Sequence, residues 1–337
     1  MSEAERQRSL TEGGQEQLLH TTVVCPACGH VVSGEAVERF GPYECFACSC
    51  GLHFWNPRKM PDADWYERVY SARDAKLLPL EPGHKYFLAD PAAPSGGRLL
   101  DVGCGTGNFL AVARNAGYDV SGTELDKGAA RFAKDQVGLP HIFPLSILEF
   151  VQQYPGKQFD VVTFFEVLEH QATPAAFLEG VKRCVRARGY IGLSVPNRER
   201  WLTAPDVLDY PPNHFLRWNV KALKSFLSAH GFEIVSLREQ PAGLTHTAQM
   251  INMYFRTGLS RSFADKGAPS FQEFILMGEG EQASAAQPKL TKLQRTIEVL
   301  ATIKYAACFP AALAVYPYIR ARSHKGTYLY CLARRKN

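Results

Sequence analysis

The sequence predicts an α/β protein, a doubly wound parallel sheet with helices on both faces, preceded by a small cysteine-rich module. From Arg98 onward, apolar strand-like runs alternate with helical stretches as far as Val195, a pattern typical of parallel sheets covered on both faces. Five of the nine cysteines lie between residues 21 and 60. A composition of 46% hydrophobic and 21% charged residues over 337 positions supports a folded core and excludes a disordered or fibrous chain.

The N-terminal residues indicate the compartment. Residues 1–20 are polar, without apolar periodicity, and are predicted to form a disordered tail. They have no apolar core of a signal peptide, and no run of about 18 apolar residues predicts a membrane span. We therefore expect a cytoplasmic protein whose cysteines are thiols or metal ligands rather than disulfides.

Residues 21–60 carry a metal-binding pattern. The spacing Cys25-x2-Cys28-x16-Cys45-x2-Cys48 matches a four-thiolate zinc ribbon, in which each pair occupies one tight turn and directs two sulfurs at one ion. Cys50 also precedes a glycine, as Cys28 does, so it is an alternative to Cys48 as the fourth ligand. Residues 61–97 read as a helical linker broken by prolines, and residues 98–337 as the α/β domain.

A glycine-rich turn follows the first strand of this domain. The segment LLDVGCGTGNFL turns through Gly103, Gly105 and Gly107 into a helix, which lets a ligand approach bare backbone. A dinucleotide enzyme with the G-x-G-x-x-G pattern would need glycine where this chain has Asn108. The next strand ends in Glu124, 17 residues after Gly107, where such folds present a carboxylate to two ribose hydroxyls.

These motifs, in this order, resemble the class I S-adenosylmethionine-dependent methyltransferases over about residues 98–235 and again at the C-terminal strand. The resemblance implies a Rossmann-like, seven-stranded sheet with an antiparallel last strand, and S-adenosyl-L-methionine as the cofactor. Carried onto matching positions, it implies the cofactor-binding residues Asp101, Gly103, Cys104, Gly105, Gly107, Glu124, Ser146, Ile147 and Phe165. Ser146 stands where the family usually places an aspartate beside adenine.

The segment FFEVLEHQATP supplies candidate catalytic residues. Glu166, Glu169 and His170 are spaced i, i+3 and i+4, so a helix starting there would present them on one face. The pattern is similar to that of ubiquinone-biosynthesis O-methyltransferases, which implies a divalent cation near Glu166, Glu169 and His170. His170 is then a general base or metal ligand, or else the group only orients the helix. His214, in a proline-rich loop, is the second candidate base, against a loop histidine bonded to backbone.

The C-terminal third holds an insertion. Phe232–Arg238 is predicted to be the sixth strand and Thr327–Ala333 the antiparallel last one, leaving a helical insertion over about 239–326. Its apolar stretch 305–319 is too short for a span and is interrupted by Pro310 and Pro317. From Arg256 onward, 13 Lys/Arg face 5 Asp/Glu, a balance of +8. This favours either peripheral membrane contact through 290–320 or a lid or dimer face; the oligomeric state stays open.

The expected function is methyl transfer from S-adenosylmethionine to a hydroxyl oxygen of a small-molecule acceptor, such as a sugar, a lipid-linked compound or a secondary metabolite. One alternative is an RNA methyltransferase that uses the zinc ribbon to bind RNA. Against it, residues 21–61 contain only Arg39, Arg58 and Lys59 as cations, too few to follow a phosphate backbone. The other alternative is a non-catalytic cofactor-binding module.

Overall fold

The computed structural model describes residues 21–59, 79–200, 209–244, 246–248, 251, 307–321 and 325–337. The predicted tail, the first part of the predicted linker and most of the predicted insertion lie outside these ranges. The predicted boundaries at residues 20, 60 and 97 therefore stay predictions.

The cysteine module consists of five short strands. They are β1 (Thr21–Val24), β2 (Val31–Gly34), β3 (Glu38–Phe40), β4 (Tyr43–Ala47) and β5 (His53–Asn56). β1 and β2 form an antiparallel pair, and β3, β4 and β5 form an antiparallel meander. Forty residues cannot bury a large core, so such a module needs a metal or a neighbouring domain.

The main domain continues the chain with helices and strands in alternation. Its elements are α1 (Pro82–Leu88), β6 (Gly97–Val102), α2 (Asn108–Asn115), β7 (Tyr118–Thr123), α3 (Lys127–Asp135), β8 (Ile142–Phe143), α4 (Ile147–Gln153), β9 (Phe159–Phe165), α5 (Pro174–Cys184), β10 (Val185–Pro196), β11 (Leu216–Arg217), α6 (Val220–Ala229), β12 (Phe232–Gln240), helix α7 (307–321) and β13 (Tyr328–Arg335).

Seven of these strands form the central sheet in the order β12-β13-β10-β9-β6-β7-β8. The strands from β10 to β8 pair in parallel, whereas β13 runs antiparallel to both β10 and β12. The prediction of a doubly wound, seven-stranded sheet with an antiparallel last strand is confirmed.

The central strands are apolar on both faces because helices cover the sheet on both sides. Val161, Val162 and Phe164 follow one another closely in β9 and are fully buried. Val161 belongs to one apolar cluster, whereas Val162 and Phe164 belong to the other. This two-sided burial explains why the strand reads as a continuous apolar run rather than as an alternation.

The cysteine module packs directly on the main domain. One apolar cluster contains Phe54 and Trp55 of the module together with Trp218 and Leu329 of the main domain. β11 also joins the module's sheet, as a fourth strand beside β5. The module is therefore continuous with the main fold, which its cysteine spacing alone did not predict.

The second half of the predicted linker belongs to the main core. Phe87 of α1 is buried, and a Cβ on Gly192 of β10 would lie 2.9 Å from its ring. α1 thus packs on the face of the sheet rather than bridging two separate domains.

Helix α7 runs through both Pro310 and Pro317, so the expectation that these prolines interrupt it is wrong. A proline removes one backbone hydrogen bond and bends a helix, and tertiary packing can hold the helix across that defect. Cys308 and Ala312 of α7 are buried against Ala248. Among the described residues, no helix is both long and apolar enough to cross a bilayer.

Candidate cofactor and acceptor site

The predicted glycine turn links β6 to α2. Gly103, Gly105 and Gly107 have φ values of 77°, 53° and 82°, a region that L side chains rarely adopt. A Cβ on Gly103 would lie 2.8 Å from Val167, and one on Gly107 would lie 2.5 Å from Leu139. A Cβ on Gly105 would meet nothing within 4 Å. Two of the glycines therefore permit close packing, while Gly105 faces open space.

This difference predicts two distinct alanine phenotypes. Gly107→Ala combines left-handed strain with a clash against Leu139, so we expect it to lower the free energy of unfolding by about 3 kcal/mol. Gly105→Ala carries only the strain, about 1 kcal/mol, but places a methyl group where a ligand would approach the backbone. Urea unfolding with and without S-adenosylmethionine checks both. Equal losses of stability in the two variants would contradict the conclusion that Gly107 is closely packed while Gly105 faces open space.

Glu124 closes the turn from the tip of β7. Its Oε2 accepts a hydrogen bond from the Gly105 N–H at 2.8 Å, and its Oε1 accepts one from the Asp126 N–H at 2.8 Å. Burial raises the pKa of this carboxyl above its usual value. Each oxygen retains a further lone pair that can accept a proton from a ligand hydroxyl. The structure thus places Glu124, which follows Gly107 by 17 residues, in contact with the glycine turn.

Asp101 and Cys104 point inward from the same bend. Asp101 is buried and accepts a hydrogen bond from Thr163 Oγ1 at 2.7 Å, and burial raises its pKa to about 8. The Cys104 sulfur packs against Gly122, where a Cβ would approach it to 2.6 Å. These side chains support the bend, and Cys104 offers a ligand only its backbone.

The segment predicted to lie beside adenine begins α4. The Ser146 hydroxyl accepts the Glu149 N–H at 3.2 Å, and the Glu149 carboxylate accepts the Ser146 N–H at 2.7 Å, a reciprocal capping box. Ile147 is buried, with its side chain against Gly180. Ile147 therefore serves the core, so Ser146 and the local backbone are the groups available to a base edge.

An aromatic group that sequence reasoning missed lies beside the crevice at the carboxyl ends of the parallel strands, where β9 ends in Phe165. The His84 ring of α1 stacks on Phe109 at 4.9 Å and meets Phe165 edge-on at 4.7 Å. His84 Nδ1 accepts the Glu81 N–H at 3.0 Å. The available signal was the segment Glu-Pro-Gly-His at a helix start. Phe165, predicted to contact the cofactor, is largely covered by these rings.

His84 predicts a pH dependence of stability. Burial lowers its pKa from 6.5 to about 4, so the folded state binds fewer protons than the unfolded one. The contribution of His84 to the free energy of unfolding is therefore complete above pH 6.5 and is lost as the pH falls towards 4. The slope is up to about 1.4 kcal/mol per pH unit. In urea unfolding, we expect the difference in free energy of unfolding between the parent and His84→Gln to decrease as the pH falls from 6.5 to 4. A constant gap would contradict this.

The predicted helix through Glu166, Glu169 and His170 is wrong. Glu166 has a φ of 54° directly after β9, Leu168–His170 forms a single 3₁₀ turn, and α5 begins only at Pro174. The left-handed residue interrupts any helix at Glu166, whose carboxylate accepts a hydrogen bond from Ser194 Oγ at 2.6 Å. Burial raises the pKa of Glu166 to about 8.

His214 takes the place expected for Glu166. The ligand atoms of Glu169, His170 and His214 all lie within 4.8 Å of one another, and we call these three residues the acceptor group. The two imidazole rings are 4.7 Å apart. His170 Nδ1 hydrogen-bonds the Asn213 carbonyl at 2.8 Å, and His214 Nδ1 contacts Asp209 Oδ1 at 3.2 Å. The structure therefore unites the two histidines that the sequence offered as alternatives.

Within the acceptor group Glu169 is buried, His170 and His214 are half-buried, and the Glu169 carboxylate is unsatisfied within the described part of the chain. Both Glu169 carboxylate oxygens lack a hydrogen-bond partner among the described residues, and burial raises the pKa of this group well above its usual value. Burial also lowers the pKa of His170 to about 3. One carboxylate and two imidazoles form a donor set that suits a divalent transition metal, so the residues present fit such an ion.

The second candidate metal site is a cysteine cluster in the module. Its four sulfurs, all within 4.8 Å of one another, belong to Cys25, Cys28, Cys48 and Cys50. The Cys25–Cys50 and Cys28–Cys48 sulfur distances are 3.8 and 3.5 Å. A tetrahedral zinc ion with bonds of about 2.3 Å requires sulfurs about 3.8 Å apart. The cluster therefore fits the predicted zinc ion.

The predicted ligand Cys45 is not part of this cluster, and Cys50 takes its place. Cys45 lies within β4, opposite Trp55 and fully buried, and burial raises its pKa to about 12. A strand cannot aim two sulfurs three residues apart at one ion as a tight turn can. The turn after β4, closed by a Gly51 N–H to Cys48 carbonyl bond of 2.9 Å, does so for Cys48 and Cys50.

Comparisons with known proteins agree with this geometry. Residues 73–237 match a family described as a methyltransferase domain. The chain is 28% identical over 138 residues to the ubiquinone biosynthesis O-methyltransferase of Pseudomonas aeruginosa, covering 40% of this chain and 58% of that protein. It is 35% identical over 114 residues to the Thiobacillus denitrificans protein of the same name, covering 32% and 49%. The chain thus spans about half the length of these curated relatives.

Among solved structures, the cyclopropane synthase MmaA2 from Mycobacterium tuberculosis is 13% identical, covering 82% of this chain and 98% of its own, with a TM-score of 0.47. The family match covers the glycine turn, Glu124 and the parallel strands. With the strand order of the sheet, these features identify residues 73–237 as a methyltransferase domain of the class I, S-adenosylmethionine-dependent type.

Proposed function

We propose that this protein transfers the methyl group of S-adenosylmethionine to a hydroxyl oxygen of a small-molecule acceptor. One observation carries the proposal: the open glycine bend with Glu124 and the acceptor group both lie at the edge of the sheet where the parallel strands end. Gly103 and Val167, three residues before His170, are in close contact. Ligands of open α/β sheets bind at this edge, so donor and acceptor would meet there.

The cofactor-binding residues follow from the geometry of the bend. The Gly105 backbone would border the amino-acid end of the ligand, Glu124 would accept the ribose hydroxyl protons, and Ser146 would face the adenine. When bound, S-adenosylmethionine supplies a sulfonium-activated methyl group, whose bond to sulfur breaks as the acceptor oxygen forms its bond to carbon. The protein's task is therefore alignment and removal of the acceptor proton.

We assign the proton transfer to His214. Its Nδ1 contacts Asp209, which orients the ring and leaves Nε2 on the side of Glu169, 4.0 Å from Oε1. His170 is a weaker base because burial lowers its pKa to about 3. A divalent cation bound by Glu169, His170 and His214 would instead lower the pKa of the substrate hydroxyl that receives the methyl group. Glu166, joined to Ser194, borders the same crevice.

The names of the relatives support a small-molecule acceptor and transfer to oxygen. Two of the three Lys/Arg residues of the module are engaged within the protein, which argues against the RNA alternative. Arg58 donates hydrogen bonds to the Ala172 and Trp55 carbonyls, at 3.2 Å each, and Arg39 pairs with Glu44. A phosphate-binding surface would keep such side chains available.

Release of S-adenosylhomocysteine from a panel of phenolic, sugar and lipid-linked hydroxyl compounds tests the proposal. His214→Asn is expected to lower kcat about a hundredfold while the Kd for S-adenosylmethionine stays unchanged. His230→Asn is the matched control, because that ring bonds only its own helix at Phe226. Assays after chelation, with Mg²⁺, Mn²⁺ or Zn²⁺ restored one at a time, test the cation. No turnover with any acceptor, or full activity of His214→Asn, would contradict the respective assignments.

A further inference from the structure

The cysteine module reaches the acceptor group through one strand. β11 begins two residues after His214 and pairs antiparallel with β5, with Leu216 opposite Phe54 and Arg217 opposite His53. The Trp55 N–H also donates to the Phe215 carbonyl at 2.9 Å. The strand that continues the His214 loop is thus part of the module's own sheet.

Arg217 joins the module to the start of that loop. Its guanidinium forms an ion pair with Glu38 of β3 and lies 4.9 Å from the ring centroids of both Trp55 and Tyr210. These two rings are 5.7 Å apart, and Phe40 packs on Tyr210 at 4.7 Å. Tyr210 is therefore held against the module through Arg217 and its aromatic neighbours.

Residues 210–215 in turn hold every member of the acceptor group. The Tyr210 carbonyl accepts the His214 N–H at 3.1 Å. The Asn213 carbonyl holds His170 Nδ1, and the Phe215 N–H donates to the Glu169 carbonyl at 2.9 Å. A displacement of Tyr210 would therefore move His214 directly and would loosen His170.

We propose that Arg217 is a positioning residue of the acceptor site. Held by Glu38 and Trp55 of the module, it fixes Tyr210 and through the loop sets the places of His170 and His214. The inference rests on the proposed function for its effect on turnover. It makes the metal-binding module part of the acceptor site, while the glycine bend and Glu124 lie apart from these contacts.

The arrangement needs arginine in particular. A planar guanidinium can stack on two rings and still donate to a carboxylate from its edge, whereas a lysine ammonium can satisfy the charge but cannot stack. Arg217→Lys should therefore retain the ion pair and lose the contact that holds Tyr210. Arg217→Leu should lose both, and Glu38→Gln should weaken the ion pair and the Glu38 contact with Tyr210 while keeping the stacked guanidinium.

Imidazole NMR of the full-length, zinc-loaded protein with ¹⁵N-labelled histidine tests the inference without an activity assay. We expect the His170 and His214 signals to shift in Arg217→Leu, less in Arg217→Lys and least in Glu38→Gln, with the Kd for S-adenosylmethionine unchanged. With a turned-over acceptor, kcat should fall about tenfold in Arg217→Leu, as expected for a misplaced reacting group. Arg39→Leu, which breaks the exposed Arg39–Glu44 pair of the same module, is the control.

The outcomes separate this inference from the proposed function. A parent protein that binds no S-adenosylmethionine contradicts the proposed function, while the imidazole signals still decide the role of Arg217. If Arg217→Leu does not fold, Arg217→Lys and Glu38→Gln decide it. Folded variants whose His170 and His214 signals match the parent, or an Arg39→Leu control with equal shifts, would overturn the inference.

Discussion

Replacing Glu124 with alanine is expected to weaken S-adenosylmethionine binding about a thousandfold. The carboxylate receives the N–H groups of Gly105 and Asp126 at 2.8 Å each, which aims its remaining lone pairs at the crevice. Two charge-assisted hydrogen bonds to ribose hydroxyls contribute about 2 kcal/mol each. The substitution also releases the Gly105 backbone, so both halves of the proposed binding surface are lost together.

Isothermal titration calorimetry with S-adenosylmethionine measures this effect. Glu124→Gln should give an intermediate affinity, because an amide has only one oxygen to accept hydrogen bonds. Glu179→Ala, at an exposed position of α5, is the matched control and should bind as the parent does. If Glu124→Ala binds within threefold of the parent, the cofactor site lies elsewhere.

Changing Cys50 to serine is expected to remove the bound zinc, whereas Cys45→Ala should retain about one zinc per chain. Cys50 belongs to the group of four sulfurs, and Cys45 packs in the core. Structural zinc contributes on the order of 10 kcal/mol to the folding of small modules. Truncating a buried cysteine costs only about 1–2 kcal/mol. The Cys50 variant should therefore lose far more stability than the Cys45 variant, although Cys45 is the more buried of the two.

Metal analysis and thermal unfolding together check this prediction. Because the module shares an apolar cluster and a sheet with the main domain, metal loss should lower the unfolding temperature of the main domain as well. Cys184→Ala, at a buried free cysteine of α5, controls for cavity formation. Retention of zinc by Cys50→Ser together with its loss from Cys45→Ala would restore the ligand set read from the C-x2-C spacing.

Local signals in the sequence predicted that the glycine turn and Glu124 lie together, and the structure shows them in contact. Gly105 and Glu124 each follow a strand of a βαβ unit, and the carboxyl ends of adjacent parallel strands must meet at one edge. Their proximity follows from topology alone. The antiparallel last strand was similarly readable, since its alternation and position at the chain end are typical of the family.

The acceptor half depends on contacts between distant segments. His84, for example, lies in a stretch predicted to be a linker, and it meets Phe109 and Phe165 because α1 packs on the sheet. Glu166 was expected on one helix face with Glu169, but its left-handed φ prevents that helix and its carboxylate bonds Ser194. No periodicity in the sequence signals a single residue of this kind, because one dihedral angle decides which face it joins.

The sequence by itself predicted the alternation of strands and helices and the glycine bend with Glu124, because hydrophobic periodicity and turn chemistry are properties of neighbouring residues. Only the tertiary structure decided that Cys50 replaces Cys45, that His170 meets His214, and that Arg217 joins the module to their loop. These contacts link residues up to 179 positions apart. They arise from packing of buried surfaces, which depends on the whole fold rather than on local spacing.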